Sequence, residues 1–273
     1  MQMTTVGSDI SKNVFQLHGV DAPGKVRLTQ RVSRANLLNV MAQLPPCRVG
    51  MEACGGAQYW ARELTDLGHE VKIMAPQHVK PSMHGNKTDR RDARAICEAA
   101  RRPSVKAVPV SSRLPQDIQT LHRVRYQCLK SRPALVTQLR GLLAEYGIVM
   151  PKGLHQVRKR VGHILADPES GLSKLCRDIL QDVAQRMSDL DARMTAYNAW
   201  MVRVCQQSEP CQRLSQVDGV GPLTATAFYA AVGNGQAFDN GRHVSAWLGL
   251  VPKQHSRGER TVLLGIHKRG DRY

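Results

Sequence analysis

Residues 4–12 read TTVGSDISK, a short apolar and β-branched run that ends in an acidic residue. Such a run favours a buried β-strand. A doubly wound nucleotide-binding domain has a glycine-rich phosphate loop at this point, whereas here Asp9 and Lys12 follow the strand. The segment therefore disfavours a plain nucleotide-binding domain and predicts a carboxylate at the end of the first strand.

The segments that follow change their apolar period in an order typical of a mixed α/β domain. Residues 4–8, 14–20 and 26–32 predict a three-stranded antiparallel meander. Helical spacing then alternates with short apolar runs, which gives the order βββαβαβ, and a further helix is predicted over residues 89–102. This is the element order of the RNase H-like fold, in which crossover helices place the later strands parallel to the first. We predict an RNase H-like (RuvC-like) α/β domain over residues 1–110.

Two long stretches beyond this domain have apolar residues at helical spacing. The first, residues 115–146, contains Pro133, which predicts a kink or a break. The second, residues 175–204, alternates steps of three and four as in a coiled coil, although an ordinary helical bundle is the alternative. We predict a helical coiled-coil linker over residues 111–209 and a small, mostly α C-terminal domain over residues 210–273.

Composition and charge bound the class of partner. The 273 residues include 39 Lys and Arg against 22 Asp and Glu, a formal charge of +17, and residues 76–160 alone contribute +13 of it. This balance favours a polyanionic partner over a small acidic substrate. The seven scattered cysteines lack the spacing of a disulfide framework or a zinc finger, and no apolar run reaches the roughly 20 residues of a membrane span. We expect a cytoplasmic, nucleoid-associated protein without a membrane partner.

Four acidic residues fall on elements that converge in the predicted fold. Asp9 and Glu52 end two strands that are adjacent in an RNase H-like sheet, and Asp89 and Asp92 are three apart on one helix. Carboxylate oxygens are ligands for Mg²⁺ or Mn²⁺, which can activate a phosphodiester for cleavage. The alternative for the helix pair is a helix cap with surface salt bridges. We predict that these four residues are the metal ligands and catalytic carboxylates.

Basic and glycine residues supply candidate contacts to nucleic acid. Cations surround the predicted carboxylates, and Arg101 and Arg102 extend the series. The motif GVGP (219–222) lies between two predicted helices, as in a helix-hairpin-helix, where glycines let backbone N–H groups approach a phosphate. A plain helix cap and turn is the alternative. The predicted nucleic-acid-binding residues are Lys12, Lys87, Arg90, Arg91, Arg94, Gly219 and Gly221.

One serine near the C-terminus is a candidate nucleophile. Ser256 lies in a predicted basic, glycine-bearing loop over residues 252–260. Neighbouring cations can stabilise both an alkoxide and the phosphorane that it forms on attack. An ordinary loop serine is the alternative.

Six motifs occur in order along the chain: GSDISK (7–12), MEA (51–53), NKTDRRDA (86–93), GVGP (219–222), WLGLVP (247–252) and GIHKRGD (265–271). Together they resemble the DEDD insertion-sequence transposases related to the pilin-gene invertase, along essentially the whole chain. The loop at Ser256 reads SRGE, where that family usually has Ser-Ser-Gly-Gly or Ser-Thr-Gly-Gly.

This resemblance implies a RuvC-like domain, a coiled-coil connection and a C-terminal transposase domain. It assigns the metal-binding tetrad to Asp9, Glu52, Asp89 and Asp92 and a nucleophile that joins DNA covalently to Ser256. It also implies DNA contacts at Lys268 and Arg269, a structured non-coding RNA partner in some members, and a homo-oligomer, dimer or tetramer. Relatives continue beyond the position of Tyr273, so we expect the C-terminal domain of this chain to be incomplete.

The predicted function is that of a DNA transposase or site-specific recombinase, with metal-assisted strand cleavage and exchange through a serine nucleophile. One alternative is a junction-resolving metal-dependent nuclease that uses water in place of the serine. Another is a truncated, non-catalytic remnant that only binds nucleic acid.

Overall fold

The computed structural model of the protein divides into two compact units. The first comprises Met1–Ser112 with Gly235–Asp239, and the second comprises Arg113–Asn234 with Asn240–Tyr273. The four predicted metal ligands belong to the first unit, and Ser256 belongs to the second. The structure describes residues 2–83, 86 and 88–266.

A mixed sheet forms the centre of the first unit. Its strands lie in the order β3-β2-β1-β4-β5. Strands β1, β2 and β3 form an antiparallel meander, β4 pairs parallel to β1, and β5 pairs parallel to β4. The predicted meander and the predicted parallel strand beside the first one are both present. The strand bounds are Met3–Ile10 (β1), Val14–Asp21 (β2), Val26–Ser33 (β3), Arg48–Glu52 (β4) and Glu70–Met74 (β5).

Helices cover both faces of this sheet. Because side chains alternate along a strand, Val6, Phe15 and Leu17 point to one face, where they pack in a core with residues of two helices, α1 and α2. The Phe15 ring meets the edge of the Trp60 ring at 5.0 Å. A fourth helix, α4, covers the opposite face. The helices of this unit are Leu37–Ala42 (α1), Ala57–Asp66 (α2), Pro76–Val79 (α3) and Asp89–Arg101 (α4), and 3-10 turns cover Arg34–Asn36 and Lys80–Ser82.

Two adjacent strands have a glycine beneath α4. Gly7 pairs with Gly50 on one side and with His18 on the other. A Cβ added at Gly7 would lie 2.2 Å from the carbonyl oxygen of Ala93 and 2.4 Å from the amide nitrogen of Cys97. Only glycine lets the backbone of α4 approach β1 this closely, so this position fixes the helix against the strand.

Both ends of α4 have partners for their backbone groups. At its start, the Thr88 hydroxyl accepts a hydrogen bond from the Arg91 amide at 3.3 Å. At its end, the Lys72 ammonium donates to the carbonyl oxygens of Ala100 and Arg102, at 3.3 and 2.9 Å. These bonds satisfy terminal groups that the helix itself leaves open. The helix is therefore held at both ends as well as along its buried face.

Helices predominate in the second unit. The long helices α5 and α7 pack with α6 around a core that includes Leu139, Leu143, Val157 and Leu180. The predicted coiled coil and the predicted division between residues 209 and 210 stay predictions. No helix among the described residues combines the length and apolar composition of a membrane span. The elements of this unit are Arg113–Ala144 (α5), Leu154–Ala166 (α6), Lys174–Gln207 (α7), Glu209–Leu214 (α8), Pro222–Val232 (α9), Gly241–Trp247 (α10), Pro252–Arg257 (β6) and Arg260–Ile266 (β7).

Of the predicted kink or break at Pro133, the break is wrong, because α5 continues through the proline, and the kink stays a prediction. Proline removes one helical hydrogen bond and crowds the preceding turn, at a cost of about 3 kcal/mol. Packing offsets this cost on both sides of the site: Leu135, Val136 and Leu139 are buried, and the Arg132 guanidinium forms a salt bridge with Asp191 of α7 at 2.8 Å.

The predicted loop around Ser256 is also wrong. Residues 252–257 form strand β6, which pairs antiparallel with β7 in a hairpin. Gly258 occupies the turn with φ of 57°, a conformation that suits glycine. All residues of β6 are exposed, and their sequence PKQHSR lacks the alternation of apolar and polar residues that predicts a half-buried strand.

Candidate active site

Asp9 and Glu52 lie at the same edge of the sheet. The parallel ladder between β1 and β4 runs from Thr5 opposite Arg48 to Ser8 opposite Met51. The next step of this register brings Asp9 beside Glu52, on strands that are about 4.8 Å apart. Both side chains are half-buried. The predicted neighbourhood of these two carboxylates thus follows from the strand register.

The thiol of Cys54 reports the negative charge at this edge. Burial raises the pKa of Cys54, and the carboxylates of Glu52 and Asp9 raise it further, because a thiolate would be repelled by both. The two carboxylates therefore act on a common point just beyond the end of β4. Sequence reasoning missed Cys54, since a cysteine two residues after a strand carries no signal of its own.

Helix α4 runs antiparallel to β1 and brings its first turn to the same edge. The Cys97 thiol contacts the carbonyl oxygen of Thr5 at 3.7 Å, and the Ala93 backbone lies against Gly7. Moving from Cys97 to Ala93 along the helix therefore corresponds to moving from Thr5 to Gly7 along the strand. One turn further, the first turn of α4 reaches the level of Asp9. This first turn contains Asp89 and Asp92.

The alternative of a simple helix cap with salt bridges does not account for Asp89 and Asp92. The side chain that caps the helix is that of Thr88, not that of either aspartate. Among the described residues, neither aspartate forms a salt bridge. The Oδ1 atom of Asp92 is buried and lacks a hydrogen-bond partner in the described part of the chain. A buried carboxylate oxygen without a donor is costly, so this atom is suited to a ligand.

The carboxylates share an edge of the sheet but do not form a closed cage. Within residues 2–83, 86 and 88–266, no group of three or more His, Cys, Asp or Glu side chains lies close enough together to hold a metal ion. Two of the carboxylates lie on rigid strands and two on the first turn of a helix. Because carboxylates repel one another without a neutralising charge, this separation is expected for the protein alone.

The predicted basic contacts separate into two groups. Arg90, Arg91, Arg94 and Arg101 line a groove between α4 and strands β2 and β3, and none of the four carboxylates lines it. Arg101 is also twelve residues after Asp89, about 18 Å along the helix axis, and its neighbour Arg102 forms a salt bridge with Glu98 at 2.6 Å. The expectation that all these cations surround the carboxylates is therefore wrong for Arg101, because of its distance along the helix; for the arginines at the start of α4 it stays a prediction.

The remaining predicted contacts have varied positions. Lys12 is exposed just beyond β1. The Arg91 guanidinium donates to the carbonyl oxygen of Asn86 at 2.9 Å, which ties the start of α4 to the preceding segment. Lys87, Lys268 and Arg269 lie outside the described residues, and their roles stay predictions.

The GVGP motif forms the turn between α8 and α9. Gly219 has φ of 82°, which requires glycine, whereas Gly221 has φ of −83° and is the residue before α9. Pro222 occupies the first helical position, where its missing N–H is harmless. The predicted pair of helices with a glycine turn is thus present, and a phosphate contact there stays a prediction.

Ser256 is exposed on β6, next to the hairpin turn. Its hydroxyl accepts a hydrogen bond from the Gln254 amide at 2.7 Å and donates to the Thr261 hydroxyl at 3.4 Å. Arg257 and Arg260 pair across the strands beside it. The serine thus stands in a cationic setting, and its hydrogen-bond partners in the described part of the chain are neutral.

Comparison with known proteins identifies the family. The DEDD transposase family of IS110 matches residues 6–148, which include all four carboxylates. The transposase family IS116/IS110/IS902 matches residues 211–273, which include Ser256. The chain belongs to the IS110 family of transposases. The predicted family is thereby confirmed, and the enzyme is a DNA transposase that catalyses DNA strand cleavage and transfer.

Relatives of this transposase match it over nearly its whole length. The "Probable family 20 transposase" of Pseudomonas aeruginosa is 42% identical over 100% of this chain and 81% of its own length. The "Transposase for insertion sequence element IS1111A" of Coxiella burnetii is 42% identical over 97% of this chain and 73% of its own. The "Transposase for insertion sequence element IS1328" of Yersinia enterocolitica is 36% identical over 99% of this chain and 80% of its own length.

A solved structure of Thermus thermophilus RuvC with a Holliday junction substrate is also similar to this transposase. The two are 16% identical, with a TM-score of 0.31, and the match covers 40% of this chain and 100% of the RuvC chain.

Proposed function

We propose that the first unit is an RNase H-like nuclease domain in which Asp9, Glu52, Asp89 and Asp92 bind Mg²⁺ or Mn²⁺ and direct the transposase's cleavage of DNA. The strand order and directions support the fold. The observation that carries the metal site is the buried Oδ1 of Asp92, which lacks a hydrogen-bond partner among the described residues at the edge that Asp9 and Glu52 share.

The residues present fit a hard divalent cation. All four donors are carboxylates, which is the ligand type that Mg²⁺ and Mn²⁺ prefer. When bound, such an ion neutralises the acidic edge and polarises the phosphodiester that is cut. The rigid strands fix Asp9 and Glu52, and the packing of Gly7 against Ala93 fixes the level of Asp92. Asp89 is exposed and is therefore accessible to a DNA strand.

An Asp92→Asn variant tests this site with two measurements. We expect cleavage of insertion-sequence ends to fall by about 10³-fold, since the site supplies several kcal/mol of charge stabilisation. In calorimetry, Mn²⁺ binding should be lost. At ten times the dissociation constant, Mn²⁺ should stabilise the wild-type protein by about 1.4 kcal/mol and the variant by nothing.

Asp66→Asn is the matched control. Asp66 is an exposed residue at the end of α2 and its replacement changes the net charge equally. The control should bind Mn²⁺ and cleave DNA like the wild type. Wild-type metal binding and cleavage by the Asp92→Asn variant would refute the proposed metal site.

We propose further that Ser256 is the nucleophile of strand exchange. Its Oγ would form a bond to phosphorus while the bond from phosphorus to the departing sugar oxygen breaks, which leaves a phosphoserine link to DNA. Because Gln254 and Thr261 are not bases, the serine proton would pass to water, and the departing oxygen would take a proton from water. Arg257 and Arg260 would stabilise the charge that develops on the phosphate.

Denaturing gels of reaction products test this assignment. The wild type should yield protein attached covalently to DNA, and Ser256→Ala should yield none. Ser245→Ala, a half-buried serine of α10, is the control and should retain the adduct. Free DNA ends without any wild-type adduct would instead support the junction-resolving type of nuclease, in which water is the nucleophile.

A structured RNA partner and a homo-oligomer are also proposed, by analogy with the family. The net charge of +13 on residues 76–160 supports the RNA partner. The exposed apolar side chains of Leu175, Ile179 and Trp200 on α7 support the homo-oligomer. Purification without nuclease should yield an RNA that RNase removes and DNase does not, and light scattering should give the mass of two or four chains. Nucleic-acid-free monomers would contradict both expectations.

A further inference from the structure

A second polar site lies on the same unit, between helix α4 and strands β2 and β3. It is a groove of about 550 Å³. Four arginines line it from α4, and the strands contribute polar and apolar residues: Arg90, Arg91, Arg94 and Arg101 from the helix, and His18, Val20, Val26 and Thr29 from the strands. His18 and Thr29 are paired across β2 and β3, so their side chains share the face that α4 covers. The groove thus has an arginine wall and a floor with both polar and apolar side chains.

His18 is the least expected residue of this groove. Its side chain is only 7% exposed, and its Nδ1 atom is buried without a hydrogen-bond partner among the described residues. Burial lowers the pKa of His18, and the charges of Arg94 and Arg90 lower it further. His18 is therefore neutral, so one of its ring nitrogens carries a hydrogen that can be donated, and the arginines alone supply the positive charge of the groove.

The arginines of the groove carry charge that the protein leaves largely uncompensated. In the described part of the chain, neither Arg90 nor Arg94 forms a salt bridge. Arg101 donates to the carbonyl oxygen of Ala22 at 3.0 Å, which neutralises no charge. Glu98 also lines the groove, but its carboxylate pairs with Arg102. The groove is therefore strongly cationic, and guanidinium groups are suited to phosphate oxygens.

The arginines follow one stripe of the helix. Arg90, Arg94 and Arg101 are four and seven residues apart, so they share a face. From Arg90 to Arg101 the helix rises by about 16 Å, which is the rise of about five nucleotides along one strand of duplex DNA. A single small anion would engage only part of this stripe, whereas a polymer with regularly spaced phosphates can engage all of it.

We propose that this groove binds the phosphodiester backbone of a nucleic-acid strand, with Arg90 and Arg94 on phosphate oxygens and His18 donating a hydrogen bond from the floor. The groove opens toward β2 and β3, whereas the carboxylates lie toward β1 and β4. It thus positions a strand along α4 without contributing to phosphoryl transfer. This inference depends on the transposase acting on nucleic acid, but on neither the metal ion nor Ser256.

The test compares nucleic-acid binding by matched double variants of the full chain. Fluorescence anisotropy with labelled duplex DNA, and with single-stranded DNA and RNA of one sequence, is measured in EDTA across a salt series. For Arg90→Gln/Arg94→Gln we expect affinity to fall at least tenfold at low salt. The slope of log K against log salt should shrink by about 1.8 on duplex DNA or about 1.4 on a single strand. The polymer that shows this loss is the one that occupies the groove.

Arg186→Gln/Arg193→Gln on the exposed face of α7 is the control, because it removes the same charge elsewhere. Equal losses in both double variants, or none in the groove variant, would overturn the proposal. Since EDTA removes any metal, a failed metal site leaves this measurement unaffected, and a failed groove leaves Mn²⁺ calorimetry unaffected.

His18 needs a separate measurement, because its replacement can disturb folding. The imidazole resonances of His18, assigned by comparison with His18→Gln, are followed in the wild-type protein while inorganic phosphate or a short oligonucleotide is added. We expect a saturable shift in the wild type and none in Arg90→Gln/Arg94→Gln. Unchanged His18 resonances at saturating oligonucleotide would contradict its role in the groove.

Discussion

Replacing Gly7 with alanine tests how the fold positions the carboxylates. The new Cβ would lie 2.2 Å from the Ala93 carbonyl oxygen and 2.4 Å from the Cys97 amide nitrogen, where ordinary contacts begin at about 3.4 Å. Both obstructing atoms belong to the backbone of α4, so a rotamer change cannot relieve the clash. We expect the helix to move away from β1 by about 1 Å.

This displacement should affect activity far more than folding. Overpacking of this kind costs about 1–3 kcal/mol of the free energy of unfolding. Even a protein with only about 5 kcal/mol of stability would then remain about 97% folded. A displacement of about 1 Å between Asp92 and the pair Asp9 and Glu52 can, however, cost about 10²-fold in rate. Loss of folded protein therefore cannot account for the expected loss of cleavage.

Two assays separate these effects. Urea unfolding gives the stability of Gly7→Ala, and cleavage of insertion-sequence ends at a temperature well below unfolding gives its activity. Gly141→Ala, in the last turn of α5 with open space around its Cβ position, is the control and should gain about 0.4–1 kcal/mol with unchanged cleavage. A Gly7→Ala protein with wild-type stability and cleavage would refute the close-packing argument.

Three further substitutions have expected outcomes. Pro133→Ala should raise the free energy of unfolding by about 1–3 kcal/mol in urea titrations, because it restores an N–H inside a continuous helix; a decrease would show that the proline is needed. Thr88→Ala should lower it by about 1 kcal/mol through loss of the α4 cap, and Thr88→Ser should restore it. The pKa of His18 is lowered in the folded state, so unfolding takes up a proton below pH 6.5. As the pH is lowered, the free energy of unfolding should therefore decrease more steeply in the wild type than in His18→Gln, by at most about 1.4 kcal/mol per pH unit. Parallel pH profiles would contradict a neutral His18.

Much of the first unit could be predicted from the sequence. The order of strand-like and helical runs predicted the meander, the parallel strands and α4 to within a few residues, because each segment has its own apolar period. Strand register then makes Asp9 and Glu52 neighbours, since both end strands that pair in parallel. In the second unit, the period of α5 was strong enough to predict the helix but not its continuity through Pro133.

Only the tertiary structure decided what surrounds these residues. Whether Arg94 faces the carboxylates or the strands β2 and β3 depends on the rotation of α4, which the backbone contact at Gly7 fixes. The burial of His18 likewise comes from a helix that is 70 or more residues away in the chain. A sequence carries local periodicity directly, whereas the solvation and charge environment of a side chain come from distant segments that pack against it. The sequence by itself therefore determined the family and predicted the four carboxylates, whereas the packing of α4 decided that its arginines line a groove with β2 and β3.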